Sequence, residues 1–249
     1  MELSDWTRPG GDAELYENEI HIWRARLEAD EQEYTRLKSL LNEEESSRAN
    51  RFVFPHDRQH FTIARGTLRD LLGKYLHCLP EEIKFQTSEY GKPSLADRSG
   101  VRFNLSHSYD LAVYVFSVGR ELGIDLEKIR SEFATGEIAD RYFSANERRE
   151  LRALPEEQRT EAFFLCWTRK EAYVKALGDG LQMPLDTFDV SLTPGALATL
   201  RSSDSHRWSI RSFLPGLGYA ASVVVEGQLP SIRFFRSGFD TKDVLMPEK

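Results

Sequence analysis

Apolar residues recur with two different periods along the chain, and these periods predict a mixture of strands and helices. Alternation of apolar and polar residues over EIHIWRARL (19–27) indicates a first strand. The polar stretch 31–50 predicts one or two short exposed helices. Over 57–76, apolar side chains return every three or four positions, which is typical of a helix with one face on a core. Shorter strand-like runs follow, at residues 83–86, 101–106 and 111–118.

The second half of the chain shows a coarsely similar order. Residues 143–154 predict a helix with Ser144 as its N-cap and Glu147 as the capping-box partner. A long helix is expected from about 157 to 177, ended by Gly178 and Gly180. Four strand-like segments follow it, at residues 188–192, 206–213, 219–226 and 232–236.

Strands grouped together, rather than alternating with helices, favour an α+β fold over a doubly wound parallel sheet. We place the seam near Gly119, which gives an N-terminal half (1–118) and a C-terminal half (119–249). Both halves have an ordinary domain size. Their similarity rests on element order alone, because no residue-level repeat is apparent.

Composition narrows the class of protein. The 249 residues are 40% apolar and 29% charged, which is typical of a globular chain, and the net charge of −7 disfavours a nucleic-acid partner. Cys78 and Cys166 lack C-x-x-C spacing and are expected to be reduced core residues. The acidic residues 1–18 are expected to be a flexible lead-in, without the pattern of a signal peptide. With no run of about 20 apolar residues, these features predict a cytoplasmic protein without a membrane segment.

The segment GIDLEKIR (123–130) carries the first candidate chemistry. Asp125 and Glu127 are two apart on a predicted strand, so they share a face and repel each other unless a cation lies nearby. With Glu171 of the long helix they supply three hard oxygen ligands, which suit Mg²⁺ better than zinc. The alternative is a solvated strand face, with Glu171 and Lys175 as an ordinary i,i+4 pair worth about 0.3–0.5 kcal/mol.

Two segments of the first half offer contacts for a phosphate. Lys92 lies on a rigid turn in YGKPSL, and FNLSHS places Ser106 and His107 at a strand end. A structural role is the alternative for a single histidine. A serine hydrolase is not supported, because no G-x-S-x-G surrounds Ser106 and adjacent residues on a strand face opposite ways.

Five motifs in series resemble the Sfp-type 4′-phosphopantetheinyl transferase superfamily: EYGKP, FNLSHS, GIDLEKI, RYFS followed by NE, and WTRKEAYVKALGDGL. The resemblance runs from about Glu43 to Leu192. It implies a monomer built as a pseudo-twofold pair of similar α+β subdomains, with coenzyme A in the cleft between them. It also implies Mg²⁺-dependent transfer of the phosphopantetheine arm to a serine of an apo acyl- or peptidyl-carrier protein, with release of adenosine 3′,5′-bisphosphate.

The resemblance also assigns roles to individual residues. It makes metal ligands of Asp125, Glu127 and Glu171, and coenzyme A contacts of Arg48, Lys92, Ser106, His107 and Lys175. Glu171 and Lys175 are the implied catalytic residues. The general base is either Glu171 or a water beside it on the metal, and the sequence leaves both open.

The partner surface and two alternative functions also stay open. Residues 129–152 hold Phe133 and five arginines, which would suit an acidic carrier protein or form a solvated helix face. The carrier's biosynthetic pathway (fatty acid, polyketide or nonribosomal peptide) is not readable here. The chain could instead be a non-catalytic carrier-binding homologue or a Mg²⁺-dependent phosphohydrolase acting on coenzyme A.

Overall fold

A computed structural model describes residues 5–9, 13–97, 99–134, 136–178 and 183–239. The first half begins with a strand, continues through three helices and ends in four strands. These elements are β1 (Glu19–Arg26), α1 (Glu31–Ser39), α2 (Glu43–Asn50), α3 (Pro55–Leu76), β2 (Phe85–Thr87), β3 (Pro93–Leu95), β4 (Val101–Ser108) and β5 (Leu111–Val118).

The second half follows the same broad order. Its elements are β6 (Leu122–Lys128), α4 (Gly136–Tyr142), α5 (Ala145–Ala153), α6 (Glu156–Leu177), β7 (Asp189–Val190), β8 (Leu200–Arg201), β9 (Trp208–Phe213), β10 (Tyr219–Glu226) and β11 (Ser231–Arg236). Helices and mostly antiparallel strands are segregated, so the predicted α+β class is confirmed.

The described strands form two main sheets. One has the strand order β11-β1-β5-β4 and the other β6-β10-β9, while β2-β3 and β7-β8 form small separate pairs. Helix α3 covers the first sheet, and α6 covers the second. A third apolar cluster joins the sheets, because one face of each strand turns toward the other half; it includes Ile20, Ile22, Val113, Ile124 and Val223.

Strand β11 does not stay with the second sheet. It runs parallel to β1, with Ile22 opposite Phe234. The division at 118/119 stays a prediction about domains, but residues 231–236 of the predicted C-terminal half lie in the sheet of the N-terminal half. The described part of the lead-in packs nearby, since Trp6 meets the Phe234 ring edge-on at 5.1 Å and the Thr7 backbone bonds to the Phe234 carbonyl.

The start of α5 and the end of α6 lie close to where the sequence predicts them. Ser144 and Glu147 form a complete capping box at α5. Gly178 ends α6 with a φ of 80°, a left-handed conformation that favours glycine; Gly180 lies outside the described residues.

Cys166 is buried and Cys78 partly buried, both as free thiols. In the described part of the chain, every helix is too short or too polar to cross a membrane.

Candidate active site

The two halves meet along β4 and β6, where a row of polar contacts joins them. Alternate residues of β4 face β6: Asn104 Oδ1 accepts from the Ile124 amide at 3.0 Å, and the Ser106 hydroxyl donates to Asp125 at 3.0 Å. One step further along, the Ser108 hydroxyl donates to Glu127 at 3.0 Å. The period of two on each strand therefore places both predicted carboxylates at the seam.

Helix α6 brings two more charged groups to this seam. Lys175 Nζ lies 2.6 Å from Asp125 Oδ1 and 3.0 Å from the Ser106 hydroxyl. The cation that balances Asp125 here is thus a lysine of the chain itself. Among the described residues, only one oxygen of this buried carboxylate is engaged, since Asp125 Oδ2 has no hydrogen-bond partner there.

The surroundings of the other two carboxylates, Glu127 and Glu171, raise the pKa of each. Burial raises the pKa of Glu171 to about 7; the charges of Asp125 and Glu127 add to this, and Lys175 opposes it. Burial, followed by the charge of Asp125, also raises the pKa of Glu127. Burial is therefore the main cause of both shifts, and the neighbouring carboxylate charges add to it.

A divalent cation fits this donor set. Three carboxylates, one of them with a buried oxygen that bonds to no described residue, are the hard ligands that Mg²⁺ takes. Within the described residues, no three Asp, Glu, His or Cys side chains already surround one point as a metal would require. One oxygen of Asp125 is bonded to Lys175 and Ser106 instead.

The predicted phosphate contacts lie at different distances from this centre. Exposed His107 follows Ser106 on β4, and partial loss of water, with the nearby charges of Lys175 and His60, lowers its pKa. Arg48 lies exposed on α2 with its guanidinium 5.1 Å from the centre of the Phe61 ring. The structure therefore brings Ser106 to Asp125, leaves His107 near the charge of Lys175, and leaves Arg48 on a separate helix.

Lys92 is held inside the protein. Its Nζ lies 3.1 Å from a Glu121 oxygen, 3.2 Å from the Leu122 carbonyl and 2.9 Å from the Ala176 carbonyl. A lysine ammonium has three donors, so these contacts use all of them. The expected coenzyme A contact of Lys92 stays a prediction.

A pocket of about 290 Å³ opens beside these groups. It is lined by Tyr90, Gly91, Lys92, Pro93, Asn104, Leu105, Glu171, Val174, Lys175 and Gly178. Residues from both predicted halves line it.

Sequence reasoning missed two residues of this site, Asn104 and Gly123. Asn104 lies in the FNLSHS motif and bridges the halves, whereas Gly123 begins GIDLEKI and lies against α6. A polar residue inside an apolar strand, and a glycine in a strand without a turn, are the signals that could have marked them.

Comparisons with known proteins identify the family of the chain. A family model described as the 4′-phosphopantetheinyl transferase superfamily matches residues 121–224, and one for the 4′-phosphopantetheinyl transferase N-terminal region matches 25–118. The 4′-phosphopantetheinyl transferase HetI of a Nostoc species is 42% identical over 216 residues, which cover 86% of this chain and 90% of the relative. Sfp of Bacillus subtilis, of the same class, is 31% identical over 194 residues, covering 78% and 85%.

A solved holo-(acyl-carrier-protein) synthase from Bacillus anthracis, in complex with CoA (3′,5′-ADP), overlaps with a TM-score of 0.38 at 25% identity, covering 43% of this chain and 96% of that one. Because this structural overlap is low, the family of the chain is shown by the family models and the two sequence relatives. The chain belongs to the 4′-phosphopantetheinyl transferase superfamily, as its motifs predict. It is an enzyme of that class.

Proposed function

We propose that the protein transfers the 4′-phosphopantetheine arm of coenzyme A to a serine of an apo acyl- or peptidyl-carrier protein, with Mg²⁺ as cofactor and adenosine 3′,5′-bisphosphate as the second product. The observation that carries this proposal is the cluster of charged side chains where β4, β6 and α6 meet. Asp125 and Lys175 meet there at 2.6 Å, next to Glu171 and a pocket that both halves line.

Asp125, Glu127 and Glu171 would hold the metal. When bound there, Mg²⁺ supplies a Lewis acid that neutralises charge on pyrophosphate oxygens. The support from this chain is a buried Asp125 oxygen that bonds to no described residue, and a Glu171 close enough for the charges of Asp125 and Glu127 to add to the effect of burial on its pKa.

The chain's own groups account for the rest of the transfer. The carrier serine hydroxyl attacks the phosphorus that bears the pantetheine arm, the bond from that phosphorus to the bridging oxygen breaks, and the nucleotide leaves with the electron pair. Lys175 and His107 stabilise the phosphate charge. Glu171, which lines the pocket together with Lys175, takes the serine proton, as a positioned carboxylate can.

The carrier protein would dock on the surface formed by 129–152, next to the seam. Arg130 stacks between two exposed rings there, 5.1 Å from the centre of Tyr109 and 4.8 Å from that of Phe133. Such a cation between aromatic rings suits a partner with both acidic and apolar groups. We also propose a monomeric enzyme, because a single chain supplies both sides of the pocket.

One experiment tests the function. Purified protein, coenzyme A and Mg²⁺ are incubated with an apo carrier, and the intact carrier is weighed by mass spectrometry. Gain of the phosphopantetheine arm supports the transferase. Hydrolysis of coenzyme A without modification of the carrier would support the phosphohydrolase, and carrier binding without either reaction the non-catalytic homologue.

A further inference from the structure

We infer that Lys92 is a positioning residue that clamps the end of α6 to the start of β6, and not a ligand of the substrate phosphates. The inference rests on the proposed transferase activity for its kinetic readout. Its geometric basis is independent of that activity.

The clamp joins three parts of the chain. Lys92 comes from the turn between β2 and β3 in the first half, while Leu122 begins β6 and Ala176 lies in the last turn of α6. Each of these carbonyls accepts from the Lys92 ammonium. Carbonyls in the last turn of a helix lack intrahelical donors, so a cation there is favourable both as a donor and against the helix dipole.

Burial and charge also keep Lys92 in place. Its side chain is only 16% exposed and pairs with Glu121, which in turn pairs with Arg102 at 3.0 Å. Moving the ammonium out to a phosphate would break three hydrogen bonds and leave two carbonyls without this donor. Such losses are costly in a partly buried place.

The clamp is close to the reacting groups. Ala176 follows Lys175 directly, and Leu122 is three residues before Asp125. By fixing these two backbone positions relative to each other, Lys92 would set the distance between the Lys175 ammonium and the Asp125 carboxylate. Displacements of about 1 Å in such an arrangement can cost roughly a hundredfold in rate.

The test compares Lys92→Met and Glu121→Gln with wild type. Lys92→Met keeps the aliphatic stem and removes the ammonium; Glu121→Gln keeps the lysine and removes its counter-charge. Lys74→Met is the matched control, since Lys74 lies in the last turn of the other long helix, α3, and pairs with Asp70 at 2.8 Å away from the seam. Three quantities are measured: kcat for transfer, the Kd of coenzyme A, and amide hydrogen exchange of 174–178.

For a clamp, Lys92→Met lowers kcat about tenfold or more, leaves the Kd of coenzyme A within about twofold, and speeds exchange at the end of α6. Glu121→Gln changes the same quantities in the same direction, and Lys74→Met changes none. A phosphate ligand would behave differently. Lys92→Met would then weaken coenzyme A by roughly tenfold or more with exchange unchanged, while Glu121→Gln would leave binding intact or strengthen it.

That second pattern, or wild-type behaviour of Lys92→Met in all three measurements, would overturn the inference. The exchange measurement does not depend on activity. If the wild-type protein modified no carrier, the proposed function would fail, and faster exchange in Lys92→Met would still identify the clamp.

Discussion

Gly123 of β6 lies directly against the backbone of α6 at Ala172. A Cβ atom at Gly123 would be 2.2 Å from the Ala172 carbonyl oxygen and 2.3 Å from the Ala176 amide nitrogen. Only a residue without a side chain permits this approach. It is this contact that lets Glu171 and Lys175, one on each side of Ala172 along the helix, reach the carboxylates of β6.

Gly123→Ala should therefore damage both the fold and the site. Overpacking of this kind typically costs about 1–3 kcal/mol, and any shift of α6 that relieves it moves Lys175 from Asp125. We expect a lower Tm and a loss of carrier modification larger than the unfolded fraction explains. Gly136→Ala is the control, because no atom of the described residues outside its chain neighbours lies within 4 Å of a Cβ at Gly136. Equal activity of the two variants would contradict the close-packing argument.

Asp125→Asn tests the metal site with the least change in shape. The amide keeps an oxygen that can accept from Ser106 but loses the charge that pairs with Lys175. We expect carrier modification to be abolished at every Mg²⁺ concentration, with a Tm change of a few degrees at most. Two effects on the Tm oppose each other. Loss of the Asp125 charge relieves its repulsion of Glu171, but it also removes the ion pair with Lys175. Full activity at low Mg²⁺ would exclude Asp125 as a ligand.

Lys175→Ala and His107→Ala test the phosphate contacts. Each removes a donor from a polyanionic ligand, and a charge-assisted hydrogen bond is worth roughly 1.5–3 kcal/mol. Titration calorimetry should show weaker coenzyme A binding for Lys175→Ala at neutral pH. For His107→Ala the loss should grow as pH falls, because the pKa of free His107 is lowered and the ring gains its charge only in acid. Wild-type binding by both variants would place the phosphates elsewhere.

The parts of this site that sequence predicted are those encoded by local periodicity. Alternation on one strand placed Asp125 and Glu127 together, and spacing on one helix placed Glu171 and Lys175 together. Capping chemistry predicted the start of α5 for the same reason. The helix at 136–142 was missed, because GEIADRY carries too few apolar residues to show a period.

The sequence pattern does not predict which distant segments of the chain contact each other. Nothing local to SIRFF shows that β11 pairs with β1 in parallel, some two hundred residues away. The same holds for Lys92, which lies in a turn between β2 and β3 but whose backbone acceptors lie in β6 and α6. A motif identifies the residue type, whereas its partner depends on tertiary packing.

Glu45 provides a prediction for stability against pH. Burial alone would raise its pKa, but hydrogen bonds from Arg69 and Arg65 outweigh burial and hold the pKa below the usual glutamate value of 4.5. The folded protein therefore binds a proton here less readily than the unfolded chain. The stabilisation is present above about pH 4.5 and is lost as pH falls through the folded pKa.

Glu45→Gln should remove this pH dependence. At pH 7 we expect the variant to be less stable by about 3–5 kcal/mol, as for loss of one partner of a buried ion pair. The difference from wild type in the free energy of unfolding should shrink steadily below pH 4.5, measured by urea denaturation. Exposed Glu44, changed to Gln, is the control on the same helix turn. A constant difference across pH would show that the carboxylate charge contributes nothing.

The arginines of α5 allow the proposed docking surface to be tested. Arg148 and Arg152 are partly engaged, because both contact the Asp140 carboxylate, at 4.0 and 2.5 Å. Arg149 bonds only to the Asn146 side chain among the described contacts, at 2.9 Å. Arg149→Glu therefore reverses a surface charge with the least damage to the helix, and the double change Arg148→Glu with Arg149→Glu gives the larger effect.

If an acidic carrier docks here, both variants should raise the KM for the carrier and leave the KM for coenzyme A unchanged, since its phosphates contact other residues. The increase should diminish at higher salt, because exposed charges are screened over about 8–10 Å at moderate ionic strength. Lys38→Glu, an exposed change of the same sign on α1, controls for net charge. Steady-state kinetics at two salt concentrations decides the point: an unchanged carrier KM at low salt would mean that these arginines only solvate α5, and that the carrier docks through apolar contacts or on another surface.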